Sequence, residues 1–236
     1  MRALVAALAI GISANAGATT IVAIWTPVKI VISGDSLINS NWIAPDGAPR
    51  HRLSNDCKIR KFGTNYISAA GNYHIQKAGF DVWQTAARAC GSSVSVGACT
   101  VRLREELRTA LEQVARTRQI YVGVLVAGLE NGVPALDHIR LNGTPQGEMT
   151  VRTESFRRGR QTWGRVILGE RGAIDRYEAS SPSTMATSIQ DEVLRLVRVE
   201  AGALPQEVGA PFSVLAIGAA GEHWINPGCC PSTCSR

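Results

Sequence analysis

The chain reads as an α+β domain with strands gathered at both ends around central helices, and three observations predict this. Short β-branched runs crowd residues 20–34 and 58–70, apolar residues at helical spacing occupy 75–90 and 100–116, and strand runs return from Ile120 onward. Strands grouped in this way argue for sheets packed between helix layers rather than for repeated βαβ units.

Thr20 to Trp25 and Val28 to Gly34 form two β-rich runs separated by Thr26-Pro27, a hairpin pattern. The stretch from Asn39 to Asn55 is rich in Asn, Pro, Gly and Asp and reads as a loop. Lys58 to Phe62 and Tyr66 to Ala70 make a second hairpin turning at Gly63-Thr64-Asn65. Helical spacing then takes over. Phe80, Val82, Trp83 and Ala87 mark a helix from Ile75 to Cys90, and Val101, Leu103, Leu107, Leu111 and Val114 mark another over 100–116. Ile120 to Leu129 and Pro134 to Leu141 flank Asn131-Gly132, a strong tight-turn pair. Val166 to Leu168 predicts a short strand, Ser188 to Glu200 a helix, and Phe212 to Ile217 with Glu222 to Ile225 a last hairpin.

With 236 residues, 45% of them hydrophobic and 19% charged, the chain carries enough apolar side chains for a large core. No Pro/Gly/Ser-rich linker divides it, so a single domain over 19–236 is expected behind a leader at 1–18. The net charge of +6 comes from 25 Lys and Arg against 19 Asp and Glu. Arginines such as Arg102, Arg104, Arg108, Arg157, Arg158 and Arg160 read as a solvated face. No aromatic interleaving or nucleic-acid motif accompanies them, so nucleic acid is not an expected partner.

Basic Met1-Arg2, an apolar run from Ala3 to Ile12 and then small residues follow the order of a secretory signal. Both Ala14-Asn15-Ala16 and Ala16-Gly17-Ala18 fit a small-x-small cleavage pattern, and only the second exposes Thr19. A cytoplasmic propeptide that the protein removes itself is the alternative. The apolar run is too short to span a membrane, so after leader removal no membrane association is expected. Six cysteines favour export, to the periplasm or outside the cell, and predict up to three disulfides. Cys90 and Cys99 flank one loop, Cys229, Cys230 and Cys234 crowd the C-terminal tail, and Cys57 stands alone. The tail lacks the spacing of a zinc site.

Three chemistries compete. Gly34-Asp35-Ser36-Leu37 spells the opening motif of GDSL-type serine esterases, whose histidine lies in an Asp-x-x-His block. Here the positions three before His51, His74, His138 and His223 hold Ala48, Gly71, Ala135 and Ala220, so no such block exists for Ser36. Metal chemistry has no His-x-x-x-His or Cys-x-x-Cys pair to build on, and no cofactor is expected. The third chemistry starts at Thr19. Cleavage after Ala18 would place a hydroxyl nucleophile and a free α-amine base on one residue. A free α-amine has an ordinary pKa of roughly 7.7–8.0, and a neighbouring Lys ammonium lowers it, leaving more of it neutral near pH 7. Lys58 can supply that charge, Asp35 can hold Lys58, and Ala69-Ala70-Gly71 offers a backbone N–H for an oxyanion.

Thr19-Thr20, Gly34-Asp35-Ser36, Lys58-Ile59 and Ala70-Gly71, in that order, resemble the proteasome β-subunit-like N-terminal nucleophile (Ntn) hydrolases. The Thr-to-Asp spacing of sixteen matches that family, whereas Asp35 to Lys58 is about seven residues longer than usual, over the Asn39 to Asn55 loop. The resemblance extends over 19–226. It implies a four-layer αββα sandwich and a hydrolase for peptide or other amide substrates, in which Thr19 is the nucleophile, Lys58 and Asp35 tune it, and the Gly71 N–H stabilises the oxyanion. Where the family has Gly-Ser-Gly, this chain has Leu168-Gly169-Glu170-Arg171-Gly172, and near the family's later Asp and Ser it has Glu207. Glu170 or Glu207 would then take over support of the amine. The departures also raise a second expectation, a catalytically inactive binding or assembly protein. Relatives of this type often form rings, so a homo-oligomer is an alternative to a monomer.

Overall fold

A computed structural model describes residues 19–43, 49–92, 95–146, 148–180 and 188–230. The expected leader at 1–18 and Cys234 lie outside the described residues.

Continuous buried runs rich in β-branched residues build the first sheet. Strands β1 (Thr20–Trp25) and β2 (Lys29–Gly34) pair as the expected hairpin, with Ile21 opposite Gly34. Strands β3 (Leu37–Ile43) and β4 (Pro49–Asn55) pair as a separate ribbon, then β5 (Ile59–Phe62) and β6 (Asn65–Gly71) form the second hairpin. A short pairing of β7 (His74–Ile75) with β8 (Phe80–Asp81) precedes helices α1 (Val82–Cys90) and α2 (Val96–Ala115). Long strands β9 (Ile120–Glu130) and β10 (Val133–Gly143) follow, then β11 (Met149–Phe156) and β12 (Gly164–Gly169). Helices α3 (Gly172–Ser180) and α4 (Ile189–Ala203) lead to β13 (Ser213–Gly218) and β14 (Gly221–Asn226).

One five-stranded sheet runs β12-β1-β2-β13-β14 and the other β11-β10-β9-β6-β5. Ile21, Ala23, Trp25, Ile30 and Ile32 of the first meet Tyr66, Ala70, Leu125 and Leu136 of the second in one apolar cluster. Helices α1 and α2 cover Ile67, Val122, Val124 and Ile139, while α4 covers Val22, Ile24 and Val31. A fully buried Trp25 keeps its indole satisfied by donating Nε1–H to Pro134 O at 2.9 Å.

The expected four-layer αββα sandwich is corrected to a β-rich fold. Strand accounts for 44% of the structure against 30% in four helices, and every strand pair in the sheets is antiparallel. Much of the excess strand lies where composition argued for loop. Over 39–55 the Asn, Pro and Gly content hid a paired ribbon in which Leu37 stands opposite Asn55 and Ile43 opposite Pro49. Pairing partners, rather than local propensity, made that segment extended.

Other boundaries moved for local reasons. Asp81 accepts from the Gln84 N–H at 2.9 Å and caps α1, so the helix begins at Val82 rather than near Ile75. Ser95 caps α2 in the same way, so that helix begins at Val96, four residues before the expected start at 100. Disulfides were expected with their pairing open, and among the described residues the structure pairs Cys57 with Cys230 and Cys90 with Cys99; Cys229 is also disulfide-bonded. Such bridges fit an exported protein. Among the described residues no helix is long and apolar enough to cross a membrane.

Candidate active site

The start of β1, the end of β2 and the residue before β5 converge. Asp35 follows β2 directly, and the β1–β2 register returns it beside Thr20: the Thr20 N–H donates to Asp35 Oδ1 at 3.0 Å, and the Asp35 N–H donates to Thr20 O at 3.2 Å. Lys58 reaches into the same space. Its Nζ donates to Thr19 Oγ1 at 2.7 Å, to Asp35 Oδ1 and Oδ2 at 3.1 and 3.0 Å, and to Leu37 O at 2.5 Å. Thr19, Asp35 and Lys58 are all buried, at 1%, 0% and 3% exposure.

An ammonium has three N–H bonds. Lys58 directs one at Thr19, one at the Asp35 carboxylate and one at Leu37 O, so the charged form satisfies every donor. Thr19 Oγ1 is therefore the acceptor in its contact with Lys58, and its own proton is left to be given elsewhere. Burial pushes the Asp35 carboxyl up and the Lys58 ammonium down, each toward its neutral form, and the attraction between the two opposes both shifts. Backbone N–H groups of Thr20 and Gly209 further favour the Asp35 carboxylate. Lys58 thus holds its proton less tightly than a solvated lysine and places positive charge beside the Thr19 hydroxyl.

The β1–β12 register seats the other flank. Glu170 donates its N–H to Thr19 O at 2.8 Å, and Thr20 Oγ1 donates to Glu170 O at 2.9 Å. Gly169 before it has φ +79°, and a Cβ there would lie 1.6 Å from Thr19 O and 3.3 Å from the Ala70 Cβ. Glycine is required at this position, because any side chain would displace Thr19. The same contact brings the Ala70-Gly71 strand end beside the threonine. Gly71 has φ +87°, and a Cβ there would lie 2.3 Å from Tyr121 O.

The two carboxylates named as substitutes for family residues gather on this flank. Burial raises Glu170 first, and Glu207 and then Glu200 add repulsion, so the three are electrostatic neighbours. Glu200 is already committed to structure: its Oε2 accepts the Ala173 and Ile174 N–H groups at 2.9 and 3.0 Å, capping α3.

Thr19, Asp35 and Lys58 were legible in the sequence and are in mutual contact here, whereas Gly71 packs against Tyr121 and reaches the threonine's neighbourhood only through adjoining Ala70. Leu37 O, Gly169, Tyr121 and the Gly209 amide were not legible. Leu37 and Gly209 contribute only backbone atoms, which leave no mark on residue type, but Gly169 with its positive φ was open to notice as a glycine at a strand end. The rival nucleophile Ser36 is fully buried with its Oγ lacking any hydrogen-bond partner, so no base reaches it. Among the described residues no cluster of His, Cys, Asp and Glu could hold a metal ion. The chain matches no protein-family model and no curated protein.

Proposed function

We propose that the chain, cut after Ala18, hydrolyses amide or peptide bonds with Thr19 as nucleophile. One observation carries this reading: the Lys58 ammonium donates to Thr19 Oγ1 at 2.7 Å while held by Asp35. In the uncut chain the Thr19 nitrogen belongs to a peptide bond and cannot accept a proton. Cleavage turns it into an amine whose pKa the adjacent Lys58 charge lowers. That amine takes the Oγ1 proton as Oγ1 attacks the substrate carbonyl, and the oxyanion receives the Gly71 N–H. The amine then gives the proton to the leaving nitrogen as the C–N bond breaks, leaving an acyl ester on Thr19. Water, deprotonated by the same amine, hydrolyses that ester. Glu170 and Glu207 supply negative charge on the flank where the ammonium form needs it.

The reading rests on residues and their contacts, with the motif order resembling proteasome-type hydrolases as additional support. Export to an oxidising compartment agrees with the disulfides, and leader removal is then the step that activates the enzyme. The experiment is intact-mass analysis of the purified protein together with an amidase assay of the wild type and Thr19→Ala. A mature chain beginning at Thr19, labelled by a threonine-reactive electrophile and inactive as the alanine variant, supports the reading. Activity retained in Thr19→Ala overturns it. A second reading, an inactive binding protein, draws on the 1% exposure of Thr19 in the uncut chain; a mature N-terminus at Gly17 favours it.

A further inference from the structure

Two arginines without a carboxylate partner among the described residues lie along the strand row that leads away from Thr19. In the registers of β11, β10, β9 and β6, Arg152, Arg140, Gly123 and Ala70 stand side by side. Leu136, Leu125 and Ala70 belong to the cluster between the sheets, and side chains alternate along a strand, so Arg140 and Gly123 share that face. Ala70 adjoins Thr19 through Gly169. Two strand spacings separate the backbones of Ala70 and Arg140, roughly 10 Å, a gap that an acidic substrate side chain and an arginine side chain can bridge together.

Tyr121 lies across this row. A Cβ on Gly123 would come within 2.9 Å of its hydroxyl, and one on Gly71 within 2.7 Å of its ring, so the phenol spans from the Ala70-Gly71 strand end toward Arg140. Among the described residues its hydroxyl makes no hydrogen bond, and the Arg140 and Arg171 charges both act on it. Burial pushes its pKa up, so the phenol stays protonated and remains a donor at neutral pH. Arg171 is paired with Asp175 at 2.8 Å. Arg140 and Arg152 have no carboxylate partner among the described residues, and they face each other directly across β10 and β11. Like charges so placed destabilise a sheet pair. Glu154, on the same face as Arg152, lies 4.0 Å from His138 instead.

We propose that Arg140, with Arg152 behind it and the Tyr121 hydroxyl beside it, receives an acidic side chain on the acyl side of the scissile bond, so that the substrates are peptides carrying Glu or Asp there. This rests on the reading of Thr19 as nucleophile. The bound carboxylate would relieve the repulsion between the two arginines and accept from the phenol.

The test uses the mature protein and four peptidyl electrophiles that differ only in an acyl-side Glu, Gln, Lys or Leu, with Thr19 modification followed by intact mass. Glu should react about 10-fold or more faster than Gln, as expected for a hydrogen bond to a charged group, with Lys slowest. Rising salt should compress the Glu-to-Gln ratio. Arg140→Gln should bring that ratio near one, and Arg140→Glu should shift preference to Lys. If the variants do not fold, the wild-type ratio and its salt dependence decide alone. Equal labelling by Glu and Gln reagents overturns the proposal while leaving Thr19 as nucleophile. No labelling by any of the four removes the nucleophile itself, and this inference with it.

Discussion

Lys58 Nζ lies 2.7 Å from Thr19 Oγ1 although 39 residues separate them in the chain. The contact arises because β2 returns Asp35 to the start of β1, and Asp35 then draws the lysine that precedes β5 into the same buried space.

Removing one partner of this pair should damage both activity and stability. Lys58→Met leaves the Asp35 carboxylate buried without its cation, at a cost of about 3–5 kcal/mol. Adding Asp35→Asn should restore much of that stability but no turnover. Denaturant unfolding and an amidase assay on the three variants check this; a double variant no more stable than Lys58→Met would contradict the ion-pair account.

Glycine is required at two positions around the site, Gly169 against Thr19 and Gly71 against Tyr121. Gly169→Ala forces a Cβ into Thr19 O at φ +79°, and Gly71→Ala meets Tyr121 O at φ +87°. Each should lower the rate of Thr19 labelling by on the order of 10-fold or more and destabilise the fold by about 1–3 kcal/mol. Unchanged labelling in Gly169→Ala would mean that Thr19 is not held by this contact.

The Cys57–Cys230 bridge closes a separation of 173 residues and adjoins Lys58, whereas Cys90–Cys99 closes only 9. Chain entropy makes the long bridge worth about 5 kcal/mol and the short one about 3. Replacing Cys57 and Cys230 by serine should therefore cost more stability than replacing Cys90 and Cys99, and only the former should slow Thr19 labelling. Thermal melts and labelling rates on the two double variants test the ordering.

His138 sets an acid limit. Burial and the Arg140 charge lower its pKa from 6.5 to about 4. Between those values the unfolded chain takes up a proton that the folded chain refuses, so the contribution is complete above about pH 6.5 and lost as pH falls toward about 4. The shift corresponds to about 3 kcal/mol. His138→Leu should flatten this part of the stability profile, as read from denaturant midpoints across pH; an unchanged slope would assign it to other groups.

The amino-acid sequence by itself determined the hairpins at 20–34 and 58–70, the long β9–β10 pair with its Asn131-Gly132 turn, and the order of Thr19, Asp35, Lys58 and Gly71. These follow from periods and spacings that act within a few residues. Tertiary structure decided the rest. The β3–β4 ribbon, β11 and α3 have polar sequences whose conformation depends on a partner strand or, for α3, on the Glu200 carboxylate that caps it. Strand outweighed helix for that reason, and the expected αββα sandwich gave way to a β-rich fold. Only the tertiary structure showed that Leu37 O completes the three bonds of Lys58, that Glu170 and Gly169 flank Thr19, and that Tyr121 and Arg140 stand on the strands beside it. Those contacts join residues up to about 150 positions apart, from Thr20 to Glu170, and are set by sheet register rather than by any local pattern.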